Sequence, residues 1–286
     1  MLFSCNPGHA VLYYGRFAAA GPERERGKAK MNEYKNCFEL LNSSRKTVVL
    51  TGAGISTLSG ISDFRGANGF YTKKSLLYGV SREQLFDIDF FRRRPEVFYQ
   101  YAREYLYPML DKVPSIAHTT LAAMQKKKLC TTIFTQNIDT LHSKAGATDC
   151  VELHGSLREH FCINCGKTFP TAEIRVRAEK ESVPRCGECS GLIKPRVVFF
   201  GESLDQDDLE RAFRECAACD VLLVLGSSLT VTPVANLPMT AVGAGKKVVI
   251  VNVQPTPIDK YAAFKFDDIA QFCAEMARFF NLDLQQ

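Results

Sequence analysis

The chain has 286 residues, 46% hydrophobic and 23% charged, with a formal net charge of +5. Such a composition suits a soluble globular protein with one large core and a smaller module, and no run of about 18 apolar residues is present to span a membrane. Residues 1–30 carry five basic groups (Arg16, Arg24, Arg26, Lys28, Lys30) against two acidic ones (Glu23, Glu25), so the rest of the chain holds only +2, which gives little support for a nucleic-acid partner.

From the N-terminus, residues 1–30 show no basic segment leading into a clean apolar one, so a secretion leader is not expected and the stretch reads as a loosely attached extension. Helical spacing starts at Met31, with Tyr34, Cys37, Phe38 and Leu41 on one face. TVVLT (47–51) predicts a buried strand, and Gly52-Ala53-Gly54 follows it directly. Small residues there let a backbone turn tightly against a pyrophosphate, and a following helix would offer its N–H groups. The third glycine of the dinucleotide fingerprint is replaced by Thr57, so a plain strand-to-helix turn explains this motif equally well.

Residues 67–115 are rich in aromatics and Arg and contain no evident sheet strand. TTIFT (131–135) predicts the next strand, ending in Gln136, Asn137 and Asp139. His154 then precedes two Cys-x-x-Cys pairs, Cys162/Cys165 and Cys186/Cys189. Two knuckles of this kind close a tetrahedron around zinc. Four thiolates complete a structural site and leave His154 available for other work. RVVFF (196–200), DVLLVLG (220–226) and KVVIVN (247–252) predict further strands, with helical spacing at 205–218 and a closing helix after Asp267. Gly226, Ser227 and Ser228 end one of these strands and Asn252 another. In an open parallel sheet, ligands bind at such carboxyl ends.

Strands alternating with helices imply a parallel sheet covered on both faces. The two stretches that break the pattern, about 67–115 and about 155–195, are assigned to a smaller inserted domain. Eleven cysteines, an odd count, with no leader suggest thiols that are free or metal-bound in a reducing compartment, hence the cytoplasm. Cys216-x-x-Cys219 reads as buried small residues, and His118 and His142 as structural histidines.

GAGIS, DFRG, TQNID, HGS, the cysteine pairs, FFGE, GSSL and IVN occur in this order, and over about residues 31–280 the chain resembles the sirtuins, NAD-dependent protein deacylases, most of all bacterial members of the undifferentiated type. The resemblance implies an α/β fold: a Rossmann-like, doubly wound parallel sheet (31–66, 116–154, 196–286) with an inserted small domain made of a helical module and a zinc-binding module. It implies NAD as co-substrate, one structural zinc, and acetylated-lysine proteins or peptides as substrates, with no nucleic acid, no membrane and a monomeric state expected.

By the same resemblance, Gly52, Ala53, Gly54 and Ser56 would line diphosphate and ribose. Asp63, Phe64 and Arg65 would belong to a cofactor loop. Gln136 and Asn137 would face the nicotinamide ribose, and Ile138 and Asp139 would hold the carboxamide. Gly226 and Ser228 would line the cofactor site, and Ser227, Asn252, Asp268 and Ile269 would hold the adenosine half. Val198, Phe199, Phe200, Gly201 and Glu202 would form one wall of the substrate groove and Val231 the other, with the peptide added as a strand. His154 would be the general base that draws a proton from a ribose hydroxyl, with Asn137 and Asp139 completing the catalytic set. In the family, a Tyr-x-x-Arg pair selects acidic acyl groups. Here Tyr99 is followed by Ala102, and Arg103 stands one step off, so uncharged acyl groups are expected. An ADP-ribosyltransferase on the same scaffold, a zinc-ribbon nucleic-acid module and a nicotinamide dehydrogenase are the competing expectations.

Overall fold

The computed structural model describes residues 22–62 and 78–284. Helix α1 (Pro22–Ser43) leads into β1 (Thr47–Thr51). The expected boundary at Met31 falls inside α1. Beyond it, Tyr34, Cys37, Phe38 and Leu41 are buried, as their spacing predicts, and the Tyr34 ring stacks on Phe266 at 4.7 Å. Short helices α2 (Arg82–Leu85), α3 (Ile88–Arg93) and α4 (Pro95–Tyr101) form the helical module, followed by α5 (Ile116–Lys126), β2 (Ile133–Thr135), α6 (Leu141–Lys144) and β3 (Cys150–Glu152).

The cysteine-bearing segment contributes β4 (Gly155–Cys162), β5 (Thr168–Pro170), α7 (Thr171–Lys180) and β6 (Ile193–Val197). The chain then completes the large domain with α8 (Gln206–Ala218), β7 (Val221–Leu225), α9 (Leu237–Gly243), β8 (Lys247–Val251), β9 (Phe264–Phe266) and α10 (Ile269–Phe279).

The large sheet has six parallel strands in the order β3-β2-β1-β7-β8-β9. The chain winds outward from β1 to β3, returns to β7 beside β1, and winds outward the other way. The crevice between the carboxyl ends of β1 and β7 is therefore the topological switch point. Alternate residues face opposite sides of the sheet. Val49, Ile133, Leu223 and Val249 pack with residues of α1, α5 and α10. Val48, Leu50, Phe134 and Val224 pack with residues of α8 and α9. A third core joins the helical module to the cysteine module, with Phe91, Phe98, Tyr99, Leu157, Ile193 and Phe199 in one cluster. The two inserted stretches thus share one apolar interior.

One expected strand is placed differently. RVVFF does not join the large sheet. β6 ends at Val197 and pairs antiparallel with β4 in a separate sheet of order β5-β4-β6. A short apolar run reports burial, and it does not name the partner strand. β3 and β9 have three residues each and carry no sequence signal of their own.

Candidate active site

The turn after β1 is built by backbone contact with the turn after β7. Gly54 N donates to Gly226 O at 2.8 Å, and Gly226 N donates to Val251 O at 2.9 Å. A Cβ on Gly54 would stand 2.7 Å from Gly226 Cα, and one on Gly226 would stand 2.5 Å from Ile55 N, at a φ of +64°. Glycine is required at both because two backbones touch there. No α-helix follows β1 directly. Two short 3-10 turns, Ala53–Ile55 and Thr57–Ser59, replace the expected helix start. Thr57 Oγ1, at the position of the missing third glycine, donates to Gly54 O at 2.8 Å.

Under this turn lies a buried polar chain. Asn137 Nδ2 donates to Gly52 O and to Ser56 Oγ, both at 3.1 Å. Ser56 Oγ donates to Asp139 Oδ2 at 2.6 Å, and Leu141 N donates to Asp139 Oδ1 at 2.9 Å. Burial raises the Asp139 pKa, opposed by the hydrogen bonds from Ser56 and Leu141. Gln136 Nε2 donates to Ser227 Oγ at 2.7 Å, linking the ends of β2 and β7.

A cleft of about 460 Å³ opens over these strand ends. Gly52, Ala53, Gly54, Gln136, Asn137, Ile138, His154, Gly226, Ser227, Ser228, Asn252 and Ile269 line it, together with Val198, Phe199, Phe200, Gly201, Glu202 and Val231. Ser56 and Asp139 sit beneath, reaching it through Asn137. Asp268 does not line it; its carboxylate accepts from Gln271 N at 2.8 Å and caps α10. Asp63, Phe64 and Arg65 lie outside the described residues. Thr57, Phe86, Val197, Leu204, Thr232, Val253 and Gln254 also line the cleft. Val253 and Gln254 could have been found by extending the strand-end rule past Asn252; Phe86 arrives from the helical module and has no signal.

His154 stands between β3 and β4, half-buried at the cleft. Its Nδ1 meets Gln136 O at 3.1 Å, and its own carbonyl accepts from Val198 N at 2.9 Å. The base candidate is thus tied both to the end of β2 and to the Val198–Glu202 wall of the cleft.

The four cysteines form a separate cluster. The Sγ atoms of Cys162, Cys165, Cys186 and Cys189 all lie within 4.8 Å of one another, with Cys162–Cys189 at 3.4 Å and Cys165–Cys186 at 3.7 Å. Zinc–sulfur bonds of about 2.3 Å in a tetrahedron need edges of about 3.8 Å, so the set fits that ion. His160 is no part of it: Nδ1 meets Thr171 Oγ1 at 3.0 Å and Nε2 meets the Tyr107 hydroxyl at 3.3 Å. Cys216 and Cys219 are fully buried, their thiols pushed up to about 12 and about 11 chiefly by desolvation.

Tyr99, expected at the acyl end of the groove, is not among its lining residues. Its hydroxyl donates to Ile193 O at 2.8 Å inside the third core. Arg103 donates to Ala178 O at 3.1 Å, over the end of α7.

The description of the Sir2 family matches residues 52–233. The chain is 46% identical over 244 residues to the NAD-dependent protein deacetylase of Thermotoga maritima, covering 85% of this chain and 95% of that one. Among solved structures it is similar to a Sir2 variant with a deacetylated p53 peptide and 3'-O-acetyl-ADP-ribose (TM-score 0.82, 44% identity, 87% of this chain and 99% of that one). It is likewise similar to a Sir2 complex with a p53 peptide and NAD+ (TM-score 0.79, 43% identity, 86% and 98%).

Proposed function

The chain belongs to the Sir2 family, and from that premise we propose that it is an NAD-dependent protein-lysine deacetylase, moving the acyl group of acyl-lysine to ADP-ribose with release of nicotinamide. One observation carries this: a single cleft joins the switch-point turn of Gly52–Gly54, the half-buried His154 and the Val198–Glu202 wall. Between Gly52 and Gly54 the turn presents no side chain larger than the Ala53 methyl at the place where a dinucleotide approaches.

Bound NAD supplies an electrophilic ribose carbon once nicotinamide leaves, and an acceptor for the acyl group. The protein's own residues do the rest. Gly52, Ala53, Gly54, Gly226, Ser227, Ser228, Asn252 and Ile269 hold the dinucleotide. Gln136, Asn137 and Ile138 hold its nicotinamide end, with Asp139 and Ser56 fixing Asn137 from below. The wall Val198–Glu202, with Val231 opposite, aligns the peptide as an added strand and shields the amide from water. His154 takes the proton of a ribose hydroxyl. Asp63, Phe64 and Arg65 are assigned to the cofactor loop by the motif alone.

Zinc is the ion we assign to Cys162, Cys165, Cys186 and Cys189, in a structural role, because four thiolates leave no open position. The same proposal covers a catalytic domain from residue 31 onward preceded by an extension, acetylated-lysine proteins as partners without nucleic acid, a monomer, and residence in the cytoplasm. No described helix is long and apolar enough to cross a membrane.

The test is incubation with NAD and an acetyl-lysine peptide. Nicotinamide and O-acetyl-ADP-ribose are the expected products by mass spectrometry. ADP-ribose retained on protein, with no free lysine formed, would replace deacetylation by ADP-ribosyl transfer.

A further inference from the structure

Lys194 in β6 is almost wholly buried, at 1% exposure. A buried ammonium is costly unless it is paired and hydrogen-bonded, so its partners show what it is held for. Its hydrogen-bond and ion-pair partners belong to one short segment, and the centre of the Phe161 ring of β4 stands 5.5 Å away. Nζ donates to Pro195 O at 3.2 Å, to Val197 O, and to Glu202 Oε2 at 2.9 Å. It also stands 4.1 Å from the centre of the Phe199 ring. Burial pulls the Lys194 pKa down, and Glu202 pulls it back up.

Glu202 passes the restraint on. The carboxylate oxygen that meets Lys194 also accepts from Phe199 N at 2.8 Å, while Glu202 N donates to Phe199 O at 2.9 Å. Gly201 has a φ of +89°, so the segment reverses between these bonds. The result is a closed turn, Val197 to Glu202, pinned from behind at both ends by one ammonium group. Its front is the wall of the cleft, and Val198 N within it reaches the His154 carbonyl.

We propose that Lys194 is a positioning residue for the acyl-peptide groove: it touches no substrate, and it fixes the Val197–Glu202 wall on which the peptide backbone aligns. Resting on the deacetylase function proposed above, this assigns Lys194 to peptide affinity and not to the nucleotide, since none of its contacts reaches the β1 or β7 turns.

The test uses the full chain with zinc. Lys194→Met keeps the length and removes the cation, and Lys194→Arg keeps the cation. Peptide Kd is read by fluorescence anisotropy with an acetyl-lysine peptide in the absence of NAD. NAD Kd, kcat and KM for both substrates, and the melting curve are read in parallel. In Lys194→Met, peptide Kd and KM rise about tenfold while kcat changes less than about threefold, the pattern of lost binding shared by ground and transition states. NAD affinity stays at the wild-type value, and Lys194→Arg recovers most of the peptide affinity. If Lys194→Met does not fold, Lys194→Gln removes the same cation with a polar side chain and is expected to weaken the peptide alone. A folded Lys194→Met, or in its place Lys194→Gln, with unchanged peptide Kd overturns the proposal, as does a parallel loss of NAD affinity, which would mark general loosening. A wild-type chain that binds no acetyl-lysine peptide would instead overturn the functional assignment, and this positioning role with it.

Discussion

His154 donates through Nδ1 to the main-chain carbonyl of Gln136 at 3.1 Å. A carbonyl oxygen only accepts, so Nδ1 carries the hydrogen and, in the neutral ring, Nε2 is the basic nitrogen. Gln136 is itself held by its N–H to Thr51 O at 3.0 Å and by its side chain to Ser227. The imidazole is therefore oriented by the same strand ends that line the cleft.

His154→Ala and His154→Tyr are expected to fold and to bind NAD while turnover falls about 10²- to 10⁴-fold, the usual weight of a general base. Steady-state kinetics beside an NAD titration checks this. Near-normal turnover in a folded, zinc-loaded variant would assign the base elsewhere.

Cys186→Ser, or a strong chelator, should take zinc content toward zero and lower the melting temperature by several degrees, because a closed four-thiolate site couples metal to local fold. Cys162 and Cys186 share the third core with Phe98 and Phe199, so peptide KM should rise as well. Metal analysis finding one zinc per chain with an unchanged melting curve would refute the structural role.

Much of this architecture is legible in the sequence, for identifiable reasons. β1, β7 and β8 are apolar along most of their length because both faces of a parallel sheet are covered, and the glycines and polar residues at their ends mark the ligand crevice. The cysteine spacing speaks for itself. What escapes is what depends on pairing across the chain. Short apolar runs cannot declare a partner, so the 196–200 stretch, with Arg196 at its head, looks like a central strand although β6 pairs with β4. Thr57 gives no hint that 3-10 turns replace a helix. Asp268 matches a binding pattern, yet its carboxylate is used to cap α10.

His118 should make stability depend on pH. Burial pushes its pKa down from 6.5 to about 4, and Ser115 N donates to its Nδ1 at 3.1 Å, which favours the neutral ring. The unfolded chain takes up the proton first, so this contribution is complete above about pH 6.5 and is lost as pH falls toward 4. The loss is on the order of 3 kcal/mol. His142, also pushed down by burial, acts in the same direction. Asp139, whose pKa is raised, acts in the opposite one. Urea unfolding of wild type and His118→Gln between pH 7 and 4.5 isolates the histidine: the variant should lose less stability over that window. Equal slopes would contradict the assignment.

Removal of residues 1–30 should leave activity intact. Among the described side chains of α1, Tyr34 is the first that is buried, and the Lys30–Asp267 pair, at 3.8 Å with both side chains exposed, is worth at most about 1 kcal/mol. A large loss of activity in the truncated chain would make the extension part of the enzyme.

Acyl selectivity follows from the charges facing the cleft. Among its described lining residues, His154 and Glu202 are the ionisable ones, and neither offers a fixed cation. A succinyl group would bring a carboxylate into a cleft whose described lining holds no fixed cation to pair it, whereas an acetyl group brings none. Desolvating an unpaired carboxylate is unfavourable, so kcat/KM for acetyl-lysine should exceed that for succinyl-lysine at least about tenfold on one peptide. The sequence pattern suggests Ala102→Arg as a gain of succinyl activity, but the structure predicts otherwise. Ala102 is fully buried in the third core beside Tyr101 and Leu106, and an Arg there would enter packed apolar space, lowering stability by about 3 kcal/mol or more. Melting curves and the acetyl-to-succinyl ratio for Ala102→Arg test both points. A stable variant that removes succinyl groups faster would show that position 102 reaches the acyl end of the groove.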